Sequence, residues 1–281
     1  MLIKDFIKEP NGSYILEKVL NKDKTWIYLN DNLEVPKEAI EILKKVKSGY
    51  PIEYIFEEVW FYGDRFYIKD GVLIPRDDTE AVVEKAIRLI NSQFSILNSQ
   101  LKVVDCCTGS GVIGIEIAKH TGAKVIGTDL SEKAIEVASK NIMLSGMEDR
   151  INVVKGDLLK ISEENSQKEK IEIEKFGFEI ENGFIKADIL VSNPPYVENS
   201  WKKPNDYEPD LAFYGGDDGL DIVKKLIIQA INLKYKAAVI EIGYNQKEKL
   251  SAFLKGKVKS FEFFEDLAGN VRGVEIINNV K

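Results

Sequence analysis

Two hydrophobic rhythms alternate along most of this chain. Near residues 101–105, 124–128, 151–154, 187–192 and 236–242, apolar positions run on without polar alternation, as in strands covered on both faces of a parallel sheet. Between them, near 111–120, 131–145, 217–233 and 245–254, apolar residues recur at helical spacing. This succession predicts an α/β, doubly wound, Rossmann-like sheet. The rhythm changes again at the end. Phe261-Glu262-Phe263-Phe264 and Val274-Glu275-Ile276-Ile277 flank Gly269-Asn270, predicting a closing hairpin and a seven-stranded sheet with an antiparallel end.

Upstream of the sheet the pattern differs. Residues 1–50 predict a small helical N-terminal domain for recognition: Pro36 suits a first helical position, Ile40, Leu43 and Val46 keep helical spacing, and Gly49 with Pro51 stops the run. Within 51–76, Val59-Trp60-Phe61-Tyr62 and Phe66-Tyr67-Ile68 read as a linking β-hairpin turning at Gly63-Asp64. The third domain is 77–281. Its first helix runs through Ile90, with Thr79 and the acids of Asp77-Asp78-Thr79-Glu80 placed to cap it. A charged interval at about 160–186 breaks the alternation and reads as a surface insertion, with Phe176-Gly177-Phe178 suggesting a short extra hairpin.

Composition narrows the possibilities. A chain of 281 residues with 44% hydrophobic content can bury a large core. A formal charge of −7 disfavours a broad nucleic-acid surface. Adjacent Cys106 and Cys107 make a poor disulfide, and one histidine, His120, supplies no metal-ligand set; His120 reads as the polar end of a helix. No run reaches 18 apolar residues and Met1-Leu2-Ile3-Lys4-Asp5 is not signal-like, so a cytoplasmic protein is expected.

Candidate chemistry falls at strand ends, where ligands bind in open α/β sheets. In Asp105-Cys106-Cys107-Thr108-Gly109-Ser110-Gly111, glycines let a ligand approach the backbone, and the following helix offers free N–H groups. Gly109, Gly111 and Gly114 with Asp129 also satisfy the dinucleotide fingerprint, so an NAD enzyme is a rival reading. Against it, Asp105 stands where it could meet a cationic amino group. Asn193-Pro194-Pro195-Tyr196, after the strand Ala187 to Ser192, has no role in hydride transfer. Two prolines free Asn193 and Pro194 carbonyls from any ladder. With the Asn193 side-chain oxygen they suit a planar NH2 group, and Tyr196 offers a ring face. The bland alternatives are a strand-terminating turn, loop hydrogen bonding for Asp105 and a helix N-cap for Asp129.

These segments, with Gly156-Asp157, resemble the S-adenosylmethionine-dependent methyltransferases acting on exocyclic or amide nitrogen. More narrowly, the chain resembles the release factor glutamine methyltransferases, through Leu73-Ile74-Pro75-Arg76 with Thr79-Glu80, Tyr207-Glu208-Pro209, Gly215-Gly216-Asp217-Asp218-Gly219-Leu220, Glu241-Ile242-Gly243 with Gln246, and Asp266 to Gly269 with Arg272. The likeness covers about 51–273. It departs at Cys107 and Phe56, where the family usually has glycine, in the long insertion, and in the short helical domain. The resemblance implies S-adenosyl-L-methionine with its methionine part against Cys107, Thr108, Gly109, Ser110 and Gly111, its ribose on Asp129, its adenine near Asp157 and Leu158, and Pro75 and Arg76 closing over it. It implies a substrate glutamine of a peptide-chain release factor on Asn193, Pro194, Pro195 and Tyr196, with Asn193, Pro194 and Tyr196 catalytic and no strong base required. No metal, membrane or nucleic-acid substrate is expected, and a monomer is. The alternatives are an adenine-N6 DNA or RNA methyltransferase and a non-catalytic nucleotide-binding module.

Overall fold

The computed structural model describes residues 1–94, 101–162 and 166–278. It divides into two compact units, Met1–Glu58 and Val59–Lys281. The smaller is helical: α1 (Ile3–Phe6), α2 (Gly12–Leu20), α3 (Lys24–Leu29), α4 (Lys37–Lys47) and α5 (Ile52–Phe56). Asp23 starts α3 by accepting from Trp26 N at 2.7 Å, which satisfies one of the helix's orphan donors. Phe6, Ile15, Leu16, Ile27 and Leu43 form its core. Pro36 stands at the N-cap of α4, one residue earlier than its spacing suggested.

At the junction, β1 (Glu58–Phe61) and β2 (Asp64–Tyr67) make a hairpin. Its turn uses Tyr62 and Gly63, both at positive φ, so Asp64 opens the second strand instead of completing the turn. A 3-10 turn at Asp77–Thr79 leads into α6 (Glu80–Gln93). Then come β3 (Lys102–Cys106), α7 (Val112–Thr121), β4 (Lys124–Asp129), α8 (Glu132–Ser145) and β5 (Ile151–Asp157). After the insertion follow β9 (Ile189–Ser192), α10 (Asp221–Asn232), β10 (Ala237–Glu241), α11 (Lys247–Leu254), β11 (Ser260–Glu265) and β12 (Val271–Ile277). No helix among the described residues is long and apolar enough to cross a membrane.

The seven expected strands lie in the order β11-β12-β10-β9-β3-β4-β5, with β12 antiparallel to both neighbours. Chain order reverses between β3 and β9, which opens a crevice at their carboxyl ends. β9 and β10 are buried along their whole length, consistent with apolar runs that lack alternation.

The insertion corrects two expectations. It contributes β6 (Lys160–Ile161), α9 (Ser166–Lys175), β7 (Glu179–Glu181) and β8 (Phe184–Lys186), and three of these extend the sheet to ten strands beyond β5. The extra hairpin turns at Asn182 and Gly183, downstream of Phe176-Gly177-Phe178, because Gly177 at φ 86 instead ends α9. Nor is the segment merely superficial. Leu159, Ile161, Ile173, Phe178 and Ile185 are buried with the main core, their apolar positions masked in the sequence by the charges between them. Phe178→Ala is therefore expected to destabilise the protein by about 3–5 kcal/mol in urea denaturation, as for other buried aromatics. A loss below about 1 kcal/mol, as at a surface position, would contradict this packing.

Candidate active site

Strand register places three loops side by side. Cys106 pairs with Thr128 of β4 and Ser192 of β9, so the chain leaves β3 beside Asp129 and beside Asn193. Between β3 and α7 the loop is held from within. Asp105 Oδ2 accepts from Thr108 Oγ1 at 2.5 Å and from Gly114 N at 3.0 Å, and Thr108 N donates to Thr128 O at 3.0 Å. A Cβ at Gly114 would come within 2.7 Å of Ile151, so only glycine lets the first turn of α7 pack this tightly. Asp129 Oδ2 accepts from Gly109 N and Oδ1 from Ser131 N, both at 2.9 Å. The cap of α8 is Ser131, which accepts from Ala134 N, so Asp129 is not the N-cap. From α8, Asn141 Nδ2 donates to Ser110 O at 2.8 Å and to Tyr67 O at 2.9 Å, a tie that no sequence motif announced.

The loop after β9 is held from outside. Asn193 Nδ2 donates to Thr79 Oγ1 at 3.1 Å. Thr79 has helical backbone angles and makes no side-chain cap bond, so its expected capping role gives way to this contact. Pro194 is buried. Tyr196 donates its hydroxyl to Glu241 Oε1 at 2.9 Å and packs on the core, while its carbonyl accepts from Gln246 Nε2 at 2.7 Å. At Gly219, with φ +68, a Cβ would overlap Tyr196 O. Glycine is required there on both counts.

A cleft opens above these strand ends. Cys107, Gly109, Asp129, Asp157, Leu158, Asn193 and Pro195 line it, joined by Gly71, Val72, Leu73, Leu211 and Tyr214. Several expected contacts fall elsewhere. Thr108, Ser110 and Gly111 shape the loop from beneath, since their polar groups are spent on Asp105, Asn141 and the Thr108 carbonyl. Pro75 and Arg76 are not among the residues lining the cleft. Arg76 pairs with the buried Glu208 at 2.6 Å, and Glu208 also accepts from Ile74 N at 3.0 Å, so Gly71 to Leu73 are the residues of that segment that reach the cleft wall. Tyr196 has its hydroxyl bound and its half-buried ring packed against the core, and it is not among the residues lining the cleft. Asp157 is on the wall, paired with Lys225 at 3.0 Å. The backbone at Cys107 has φ 58, the conformation glycine would adopt without strain.

Burial sets the electrostatics. Desolvation pushes the Asp105 carboxyl up to about 7, against the hydrogen bonds from Thr108 and Gly114, and leaves Oδ1 without a partner. Desolvation also raises Asp129, and it carries Glu241 up to about 7. The Cys107 thiol is raised by its contact with Cys106 and by burial. Asp129 is the strand-end carboxylate on the cleft wall and suits a ligand carrying vicinal hydroxyls, while Asp105, fully buried beneath the loop with Oδ1 unpaired, is not among the lining residues.

A sequence profile described as "Ribosomal protein L11 methyltransferase (PrmA)" matches residues 84–191. The solved METTL16 MTase domain shares the fold at 16% identity and a TM-score of 0.53, covering 96% of this chain and 92% of that one. Fold and strand-end cleft together are those of a Rossmann-like α/β protein. The release factor glutamine methyltransferase of Clostridium acetobutylicum is 34% identical over 89% of this chain and 87% of its own length. That of Clostridium botulinum is 32% identical over 98% and 99%. The chain belongs to the release factor glutamine methyltransferase family.

Glu116, buried on α7, is also raised by desolvation to about 7. Together with Asp105 and Glu241 it holds its proton in the folded protein at pH values where the unfolded chain, near 3.8 for Asp and 4.5 for Glu, has released it. Their contribution is complete below the unfolded values and is lost as pH rises through about 7. The ligand-free protein should thus lose on the order of a few kcal/mol between pH 5 and pH 8. Urea midpoints across that range measure it, and a midpoint rising with pH would contradict the assignment.

Proposed function

We propose that the protein transfers a methyl group from S-adenosyl-L-methionine to the side-chain amide nitrogen (N5) of the glutamine in the Gly-Gly-Gln motif of peptide-chain release factors, as a cytoplasmic monomer. The observation that carries the reading is the Asn193 side chain: its nitrogen is spent on Thr79, which leaves Oδ1 to accept at the cleft wall. The cofactor supplies an activated methyl on a sulfonium. What remains for the chain is to aim a weak nucleophile, and such positioning is worth several kcal/mol. Asn193 Oδ1 and the Pro194 carbonyl accept the two amide protons and hold the nitrogen toward the methyl, favouring the positive charge that develops there. Asp129 takes ribose hydroxyls and Leu158 backs the adenine. Asp105, buried beneath the loop with Oδ1 unpaired, would attract the cofactor's ammonium by its charge. Tyr196 acts by anchoring the loop.

Context supports a protein substrate over a nucleic acid. The chain is acidic and has five arginines, whereas extracting a base from a duplex calls for many phosphate contacts. The helical unit exposes Tyr28, Leu29 and Leu33, apolar surface with which the folded partner could be gripped away from the reacting side chain.

Labelled S-adenosylmethionine with purified release factor, followed by mass spectrometry, tests the assignment. Transfer to the intact factor should exceed transfer to a short Gly-Gly-Gln peptide, because remote contacts help position the glutamine. Efficient labelling of adenine in DNA or RNA at low salt, with the factor unmodified, would reverse it. Asn193→Ala should lower kcat by about 10²-fold with little change in cofactor affinity; a near-normal kcat would make the loop merely structural. S-Adenosylhomocysteine should bind about 1–3 kcal/mol more weakly to Asp129→Ala. Its affinity for the wild-type chain should fall as pH drops below about 7, where Asp105 becomes protonated and no longer attracts the ammonium. Calorimetry at pH 6 and pH 8 decides, with equal affinity counting against Asp105.

A further inference from the structure

Two stretches far apart in sequence contribute apolar wall to the cleft. Gly71, Val72 and Leu73 precede the turn that opens α6, and Pro209, Leu211 and Ala212 stand in the long connection between β9 and α10. Neither stretch lies in an α-helix or a strand, so neither takes a fixed position from the sheet.

Glu208 joins them. Its side chain has no solvent exposure. Oε1 accepts from Ile74 N at 3.0 Å, and Oε2 accepts from Arg76 Nη2 at 2.6 Å and from Asn205 Nδ2 at 2.8 Å. A buried carboxylate is costly unless such donors meet it. The chain around it is fixed as well: Glu208 N donates to Asn205 Oδ1 at 3.1 Å, and Glu208 O accepts from Lys203 Nζ at 2.8 Å. Lys203 also pairs with Asp210, in the 3-10 turn Asp210–Ala212 that carries Leu211 to the cleft.

Both stretches are tied to the Asn193 loop too. Thr79, just beyond Arg76, accepts from Asn193 Nδ2 at 3.1 Å. In the connection, Phe213 O accepts from Val197 N at 2.8 Å, and Gly215 N donates to Val197 O at 2.9 Å. The contacts run in a ring: Thr79 to Asn193, along the chain to Val197, across to Phe213, back to Glu208, and across to Ile74 and Arg76. Glu208 is the link that closes it.

We propose that Glu208, through Ile74, Arg76 and Asn205, is a positioning residue that holds the two stretches together in the ligand-free protein and so pre-forms the wall that the cofactor meets. Glu208, Arg76 and Asn205 are not among the residues lining the cleft, so they act through Gly71 to Leu73 and Pro209 to Ala212. The inference rests on the reading above that S-adenosyl-L-methionine occupies this cleft. Without the link the stretches visit other arrangements, and affinity falls with the fraction of molecules in which the wall is formed. Bound ligand selects that fraction again, so the chemical step is spared.

The experiment measures S-adenosylhomocysteine affinity by calorimetry, hydrogen exchange of the ligand-free protein and release-factor methylation for the wild-type chain, Glu208→Gln, Arg76→Lys, Asn205→Ala and Phe178→Ala. Glu208→Gln keeps an acceptor for Ile74 N but sets an NH2 group against the donors of Arg76 and Asn205. It should weaken S-adenosylhomocysteine about 10- to 10²-fold and raise the KM for S-adenosylmethionine in proportion, with kcat at saturation within about threefold of wild type. Amides within 71–76 and 205–214 should exchange faster in the free variant and return to wild-type rates on saturation with S-adenosylhomocysteine. Arg76→Lys keeps a charged donor for Oε2 and should bind within about threefold of wild type. Phe178→Ala, destabilised at a core position outside the ring, should also bind within about threefold; a loss there equal to that of Glu208→Gln would reduce Glu208 to general stability and overturn the proposal. If Glu208→Gln is unfolded at the assay temperature, Asn205→Ala decides, with an affinity loss of about 3- to 10-fold expected from the missing donor to Oε2 and acceptor for Glu208 N. Wild-type affinity in Glu208→Gln, or in Asn205→Ala where it stands in, overturns the link and leaves the assignment of the cleft intact. Failure of the wild-type chain to bind S-adenosylhomocysteine overturns both.

Discussion

The backbone from Asn193 to Tyr196 belongs to no helix and no ladder, and most of the larger unit supplies the missing restraint. Two prolines stiffen the loop but remove its donors, so it must be gripped by its acceptors and side chains. Gln246 takes the Tyr196 carbonyl and Glu241 the Tyr196 hydroxyl, while Thr79 takes the Asn193 amide. These partners come from the starts of α11 and α6 and from the end of β10, so a local four-residue geometry is set by contacts spread over more than 160 positions of sequence. The buried polar groups involved cost desolvation energy, repaid only while the set stays intact.

Sequence pattern carried much of this. Uninterrupted apolar runs located β3, β4, β5, β9 and β10, and the closing hairpin pattern located β11 and β12, with ends that differ by up to three residues at Asp157 and Val271; the runs are clearest in β9 and β10, which are buried along their length and have few polar positions to blur them. The cleft was legible through Asp129, Leu158 and Asn193, whose loops must converge once β3, β4, β5 and β9 are neighbours. What escaped is what depends on side-chain partners far apart in sequence. Thr79 looked like a cap because caps are local and its real partner is 114 residues away. Arg76 looked like a lid because nothing near it announced the buried Glu208. Asn141 carried no signal at all, being one polar position of an amphipathic helix.

Cys107 shows how a left-handed turn is kept with a residue that does not favour it. The loop keeps its left-handed backbone there at φ 58 although a side chain now has to be accommodated, at a cost on the order of 1 kcal/mol. Neighbouring restraints make this tolerable: Thr108 N is tied to β4 and Gly109 N to Asp129. The turn is thus imposed by the strands on either side of it.

The insertion after β5 also changes what one edge of the sheet presents. Without it, β5 would end the sheet and offer a long apolar parallel strand whose free N–H and C=O groups could recruit another chain. With it, the carboxyl end of β5 at Gly156 and Asp157 is paired with β6, and the strand order ends at the three-residue β7, whose Glu179 and Glu181 are exposed. A short acidic edge is a poor template for strand addition, and like charges on a second copy repel it.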